Sequence, residues 1–398
     1  MARIHFAWEL GNGLGHVARL KPLAVELARR GHEVSMSLRD LVATRALWLP
    51  LDIPCVQAPV FLHQTVGLPR RSASLAEIAL GVGYLDGDVL DALHEGWRAM
   101  LLRFGADAVV GDYSPTAMLA ARSLGVRAIS VGLSFAIPPQ GRPLPPFRPE
   151  ATLEPGRLAS SEARFVRAAN HALRTSDAAP VRLACEVFRG DLALLCTWPE
   201  LDCYARGDDS PDETWFGVNP PPEGGAPPVW PEGDGPRVFA YLKGGHPDLP
   251  LLMRALVERG CRTLCYIPDV ESGAPVPLAH PRIAYSDAPV DLTKAFADCD
   301  LCLCHAGGGT IGQSLLAGVP LLTIPMQGEQ ELNARTVVRL GAGAMASPKT
   351  PSEFGAILDH ALRDRTLRDV ARAFAERHRG ITREGQTIAL CDAIERAL

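Results

Sequence analysis

Apolar and polar positions along this chain follow two periods. Short apolar runs with the length of buried strands fall at 4–8, 107–112, 128–131, 192–197, 238–242, 263–267 and 300–304. Between several of them, apolar residues recur three and four apart. The chain opens as a β-α-β unit. The run 4–8 leads into a glycine-rich loop; then Leu20, Leu23, Ala24, Leu27 and Ala28 sit at helical spacing over 17–30, Gly31 caps the helix, and a second strand starts near Val34. Further on, the strand ending at Asp112 precedes a helix over 116–124 and the strand 128–131. A second series starts at Arg237, with a strand at 238–242, the loop Lys243-Gly244-Gly245-His246-Pro247, a helix over 249–259 and a strand at 263–267. A short strand at 282–285, a helix at 291–297 and the strand 300–304 follow. The helix 311–317 is ended by Gly318, with Pro320 blocking continuation before the strand 319–325. Amphipathic helices over 352–362 and 367–377 and a last helix over 386–398 complete the pattern. Residues 61–87 read as loops and short helices, and the Pro-rich 135–155 cannot be regular throughout.

The pattern predicts an α/β chain with two domains. Residues 217–236 carry seven prolines and five glycines and read as the connector. Composition adds exclusions. The 398 residues are 47% hydrophobic and 21% charged, with a net charge of −5. That balance does not favour nucleic acid, and no basic run suggests a membrane surface. No apolar run reaches the span of a membrane helix. The start, Met1-Ala2-Arg3, lacks signal-peptide features, so the expected location is cytoplasmic. Ten scattered cysteines suit a reducing compartment. Cys299, Cys302, Cys304 and His305 could be drawn as a metal site, but such close ligands rarely close a tetrahedron unaided, and inert buried thiols are the expectation.

Chemistry concentrates in 304–335. The strand ending at Cys304 is followed by His305, by Ala306-Gly307-Gly308-Gly309, and by Thr310 where a helix starts. A glycine turn opening a helix aims free amides and the positive end of the helix dipole at one spot, which makes an anion site able to take a diphosphate without a metal. The alternative is an ordinary strand–turn–helix connection. In the amino-terminal half, His16 lies in the loop Glu9-Leu10-Gly11-Asn12-Gly13-Leu14-Gly15-His16. A histidine there suits a general base, its pKa being near working pH; a polar loop residue is the alternative.

The spacing of 304–335 resembles the donor signature of the UDP-glycosyltransferase superfamily, through His305, Gly307, Thr310, Gly318, Pro320, Pro325, Glu329, Gln330, Asn333 and Ala334 without a gap. Gly15, His16, Pro22, Leu23, Ala24 and Arg30-Gly31-His32-Glu33-Val34 resemble its opening. The resemblance, to family 1 and its bacterial macrolide- and flavonoid-type members, implies a GT-B fold: two Rossmann-like domains facing across a cleft. It implies an acceptor domain over 1–218, a linker over 219–236, a donor domain over 237–380, and a helix over 381–398 crossing back to the first domain.

By the same resemblance, His16 is the general base and Asp112 its orienting partner. His305 and Thr310 contact the diphosphate, with Gly15, Gly244, Gly307, Gly308 and Gly309 as further donor-binding positions; Lys243 departs from the small Gly–Ser or Gly–Thr pair the family has near this loop, and it either supplies charge to the diphosphate or is a solvated lysine. Glu329 and Gln330 bind hydroxyls of the donor sugar. Gln313 stands where the family usually has a Glu for the ribose hydroxyls, and it carries no charge. Asp287 and Val290 replace the Trp and Gln that plant members place around the base.

The implied activity is inverting transfer of a sugar from a nucleotide diphosphate, UDP first and dTDP next, to a hydroxyl of a small molecule or natural product. Donor and acceptor are the implied partners, with no cofactor, no metal, no nucleic acid and no membrane insertion; a homodimer is left open. Two other readings stay open: a nucleotide-sugar 2-epimerase-like enzyme, and a non-catalytic sugar-nucleotide-binding accessory protein, which Gln313 favours.

Overall fold

The computed structural model describes every residue except 149–151, 207–212, 222–223 and 347–349. The chain forms two compact units. The first comprises Met1–Pro199, Tyr204–Gly217 and Glu384–Leu398; the second comprises Glu200–Cys203 and Val218–Arg383.

Among the described residues the first unit holds a seven-stranded parallel sheet. Its strands are β1 (Arg3–Trp8), β2 (Glu33–Leu38), β3 (Cys55–Gln57), β4 (Ala108–Asp112), β5 (Arg127–Gly132), β6 (Leu192–Leu195) and β7 (Thr214–Trp215), in the order β3-β2-β1-β4-β5-β6-β7. β1 is central and covered on both faces. Ile4, Phe6 and Trp8 pack with Leu20, Leu23 and Leu27 of the Gly15–Arg29 helix. Ala7 packs with Trp97 and Leu101 of the Gly87–Phe104 helix. Alternate side chains of a strand point to opposite faces, so a strand covered on both faces reads as a continuous apolar run. Leu390, Cys391, Ala393 and Ile394 of the Arg383–Ala397 helix belong to the same core as Leu23 and Leu27.

The second unit holds a six-stranded parallel sheet, again among the described residues. Its strands are β8 (Arg237–Tyr241), β9 (Arg262–Tyr266), β10 (Ile283–Ser286), β11 (Leu301–Cys304), β12 (Leu321–Thr323) and β13 (Gly343–Met345), in the order β10-β9-β8-β11-β12-β13. Strand order reverses between β1 and β4 in the first unit and between β8 and β11 in the second. Open α/β sheets bind ligands at the carboxyl ends of strands beside such a reversal.

Three features depart from the sequence reading. Gly87–Phe104 is an eighteen-residue helix that the pattern did not assign, started by Asp86 and stopped by left-handed Gly105. Residues 200–203 go with the second unit, where Arg377 and His378 bond Glu200 at 2.9 and 3.0 Å and Arg339 donates to the Asp202 carbonyl at 2.7 Å. The proline-rich connector is not a free coil. Ala226 pairs with Val290 in a single bridge, and the Arg237 guanidinium lies 5.7 Å from the Trp230 ring.

Candidate active site and donor site

In the first unit, register places Trp8 beside Asp112, which brings the ends of β1 and β4 together. His16 is the second residue of the helix after β1, and Asp112 is the last residue of β4. His16 Nδ1 lies 3.0 Å from Asp112 Oδ1, off the line of an ideal hydrogen bond. Asp112 is buried, and Arg19, one helical turn beyond His16, bonds its other oxygen. Burial alone would push the Asp112 carboxyl up, but the Arg19 and His16 charges and hydrogen bonds outweigh it and hold it below the ordinary range. Asp112 is therefore a carboxylate, and with Nδ1 turned to it, His16 keeps Nε2 for a proton.

The His16 ring lies against the Trp8 indole, with centroids 5.3 Å apart at 17°. Trp8 is fixed by its Nε1–H donating to the Leu10 carbonyl at 2.8 Å. Gly11 has φ +81°, and a Cβ there would stand 2.5 Å from His16 Nε2, so only glycine serves on both counts. Glu9, the residue after Trp8, is buried and accepts from Thr116 N–H at 2.7 Å and from Thr116 Oγ1 at 2.5 Å. Burial pushes its carboxyl up to about 7, although the Thr116 hydrogen bonds pull it down. The sequence reading did not single out Arg19, Trp8, Gly11 or Glu9. Arg19 had a readable signal, because a residue three after His16 on a helix shares its face.

His94 is buried and lies 3.1 Å from Ser123 Oγ, and His171 lies 3.0 Å from Asp88. His63 is exposed, and Phe135 is buried edge-on to Tyr113. His32 is tied to the Ala2 amide at 3.2 Å and to Glu395 at 2.9 Å.

In the second unit, β11 delivers His305, and Gly308–Leu316 is the helix that follows. Its first amides have no intrahelical partner, the first closing bond being Ile311 N–H to the Gly307 carbonyl at 3.1 Å. Thr310 and Gln313 lie half-buried one turn apart on one face. Asn333 Nδ2 donates to the Ala306 carbonyl at 3.1 Å and holds the turn, where Ala306 has φ 60°. Gln330 Oε1 accepts from Met326 N–H at 2.8 Å, shaping the loop that presents Glu329.

Two expectations need correction. His305 was expected to offer a ring donor to a diphosphate. Both its nitrogens are committed to backbone: Nε2 accepts from Lys243 N–H at 2.9 Å, and Nδ1 donates to the Ile324 carbonyl at 2.7 Å. The ring is buried and stacked on His246, with centroids 5.4 Å apart. It joins the loops after β8, β11 and β12. The Gly244 amide is likewise taken, by Asp269 at 2.8 Å, and a side chain at 244 would strike Asp269. The Lys243 side chain is exposed, and Gly15 opens the first-unit helix that carries His16.

Among the described residues no group of three or more His, Cys, Asp or Glu is placed to hold a metal, and no helix is long and apolar enough to cross a membrane. The ten thiols are free; a bond to Cys304 together with burial pushes Cys302 well above the ordinary thiol range.

Two doubly wound sheets, each with its marked residues at the order reversal, give two Rossmann-like domains, the fold class of the GT-B glycosyltransferases. Residues 282–375 match the model of the glycosyltransferase family 28 C-terminal domain. Over 357 residues the chain is 27% identical to the UDP-N-acetylglucosamine–N-acetylmuramyl-(pentapeptide) pyrophosphoryl-undecaprenol N-acetylglucosamine transferase of Acidothermus cellulolyticus, covering 86% of this chain and 84% of that one. It is 26% identical to the demethyllactenocin mycarosyltransferase of Streptomyces fradiae, covering 98% and 86%. The solved glycotransferase of kitacinnamycin superposes with a TM-score of 0.70 at 18% identity, over 100% of this chain and 99% of that one. These matches support the GT-B glycosyltransferase superfamily, and the chain is a transferase.

Proposed function

We propose that the protein transfers a sugar with inversion from a nucleotide diphosphate, UDP first and dTDP second, to a hydroxyl of a small-molecule natural product. The observation that carries this reading is the pairing of His16 with the buried carboxylate of Asp112 at the β1/β4 reversal. His16 Nε2 takes the acceptor O–H proton as the acceptor oxygen attacks the anomeric carbon. The bond from that carbon to the diphosphate oxygen breaks on the opposite face, releasing the nucleoside diphosphate. Asp112 stabilises the imidazolium that forms, as in a hydrolase triad. The amides of Gly308, Gly309 and Thr310 with the helix dipole receive the charge developing on the leaving diphosphate, in a transition state with oxocarbenium character. Gln313 reaches the ribose, and Glu329 and Gln330 the sugar hydroxyls.

The test is nucleotide release from UDP- and dTDP-sugars across a panel of hydroxylated natural products, with the product's anomeric configuration read by NMR. A retained configuration, or full turnover by His16→Ala, sinks the mechanism. Binding of nucleotide with no turnover on any acceptor would instead favour a non-catalytic binder, the reading that the uncharged Gln313 supports.

A further inference from the structure

An aromatic pair stands in the second unit at the edge where a donor would lie. Tyr241 ends β8 and Tyr266 ends β9; the two are in register, and their rings stack with centroids 5.6 Å apart at 22°. Tyr241 is 37% exposed, although its strand is otherwise buried from Val238 to Ala240. An interior tyrosine packs away or finds a hydroxyl partner, whereas a ring left open at a strand's carboxyl end is a surface for another flat group.

Sheet order gives the pair its meaning. In β10-β9-β8-β11, the ends of β8 and β9 lie between the glycine turn after β11 and the loop after β10. A nucleotide whose diphosphate rests on the Gly308–Thr310 amides, and whose nucleoside extends toward β10, passes over Tyr241 and Tyr266. The loop after β10 offers no aromatic ring, since its residues are Asp287, Ala288, Pro289 and Val290. Its backbone is largely occupied as well. The Pro289 carbonyl accepts from Ala226 N–H at 2.8 Å, Asp291 N–H donates to the Ala226 carbonyl at 2.8 Å, and the Ala288 carbonyl accepts from Ser286 Oγ at 2.6 Å.

We propose that Tyr241 and Tyr266 form the platform on which the nucleobase of the donor stacks. This rests on the donor reading of the second unit given above. A π-platform accepts any base face, so it supplies affinity with little choice among uracil, thymine and guanine. The Tyr266 hydroxyl bonds Glu271 at 2.6 Å, which orients that ring and leaves Tyr241 as the exposed surface.

The experiment is calorimetric titration of the full chain with UDP, dTDP, GDP and inorganic pyrophosphate, for the wild type and for Tyr241→Ala, Tyr241→Phe and Tyr266→Ala. Stacking contributes about 1–3 kcal/mol per base, so Tyr241→Ala is expected to weaken UDP by about fivefold to about 150-fold. Tyr241→Phe keeps UDP affinity, and pyrophosphate affinity is the same in every variant. Unchanged UDP binding in Tyr241→Ala overturns the platform and leaves the donor reading standing. Equal weakening of UDP and pyrophosphate also overturns it, since the effect would then come from a disturbed anion turn. No nucleotide or pyrophosphate binding to the wild type overturns platform and donor reading together. Circular dichroism of each variant checks that the fold is intact.

Discussion

His16 and His305 stand on opposite sides of the strand-order reversals of their units: His16 follows β1, whereas His305 follows β11, whose place in its sheet is that of β4. Each lies beside a strand-order reversal, near glycines, at the carboxyl end of a central parallel strand. Their surroundings differ in kind. His16 faces a buried carboxylate with one nitrogen. His305 gives one nitrogen to an amide and the other to a carbonyl, and it stacks on a second histidine. A histidine with a carboxylate partner can hold a charge, while one bonded to backbone on both sides stays neutral and ties loops together. Burial, the largest influence, holds the His305 ring below the ordinary histidine range, which agrees with a neutral ring. The residue type is therefore silent about role until the partners of both nitrogens are known.

The contrast is broken most directly by alanine at each position. His16→Ala is expected to lower the transfer rate about a thousandfold at unchanged nucleotide affinity, the size of a lost general base. His305→Ala is expected to do the reverse, weakening nucleotide binding by loosening three loops. Pre-steady-state rates and calorimetry separate the two; a rate loss in His305→Ala at full affinity would mean that both histidines act chemically.

Next in size is the buried Glu9 carboxyl of the first unit, which accepts from Thr116. The Glu9 carboxyl goes from an ordinary 4.5 to about 7 on folding. Between those values the folded chain holds a proton that the unfolded chain releases. Stability is thus greatest below the ordinary carboxyl range and falls as pH rises through about 7, by about 3 kcal/mol. Denaturant titrations across that window should show the fall in the wild type and a flatter profile in Glu9→Gln; parallel profiles would rule Glu9 out as its source.

Gly11→Ala sharpens the contrast from the backbone side. Its methyl would meet His16 Nε2 at 2.5 Å and force the ring away. Transfer is expected to fall about a hundredfold, because small misplacements of a reacting group are costly. Nucleotide titration of the second unit should not change. A fast Gly11→Ala enzyme would show that His16 works from another rotamer. The smallest effect is expected from Gln313→Glu, which gives the second unit a charged acceptor for ribose hydroxyls and should tighten UDP about tenfold. Weaker binding would place Gln313 nearer the diphosphate than the ribose.

Local signals made much of this legible. Strand runs, Gly31, Gly318 and the glycine turn at 307–309 each act within a few residues, so both β-α-β openings and the 304–335 segment were readable. The Gly87–Phe104 helix was not, because His94 occupies one of its buried positions beside Leu90, Trp97 and Leu101 and hides a turn of the apolar stripe. The partners of His305 lie 62 and 19 residues away, and those of Asp112 on another element, so their bonding is set by packing that no local pattern records. The docked connector was hidden for the same reason: prolines and glycines announce irregular backbone but not the Val290 against which Ala226 settles.

The last helix carries a consequence for how the protein is made. Leu390, Cys391, Ala393 and Ile394 close the core around Leu23 and Leu27, yet a ribosome adds them only after the whole of the second unit. During synthesis the first sheet must wait with an apolar patch open to water while its neighbour emerges and folds. Nascent chains of this protein are therefore clients for whatever binds exposed apolar surface at the tunnel exit, and the first unit matures last.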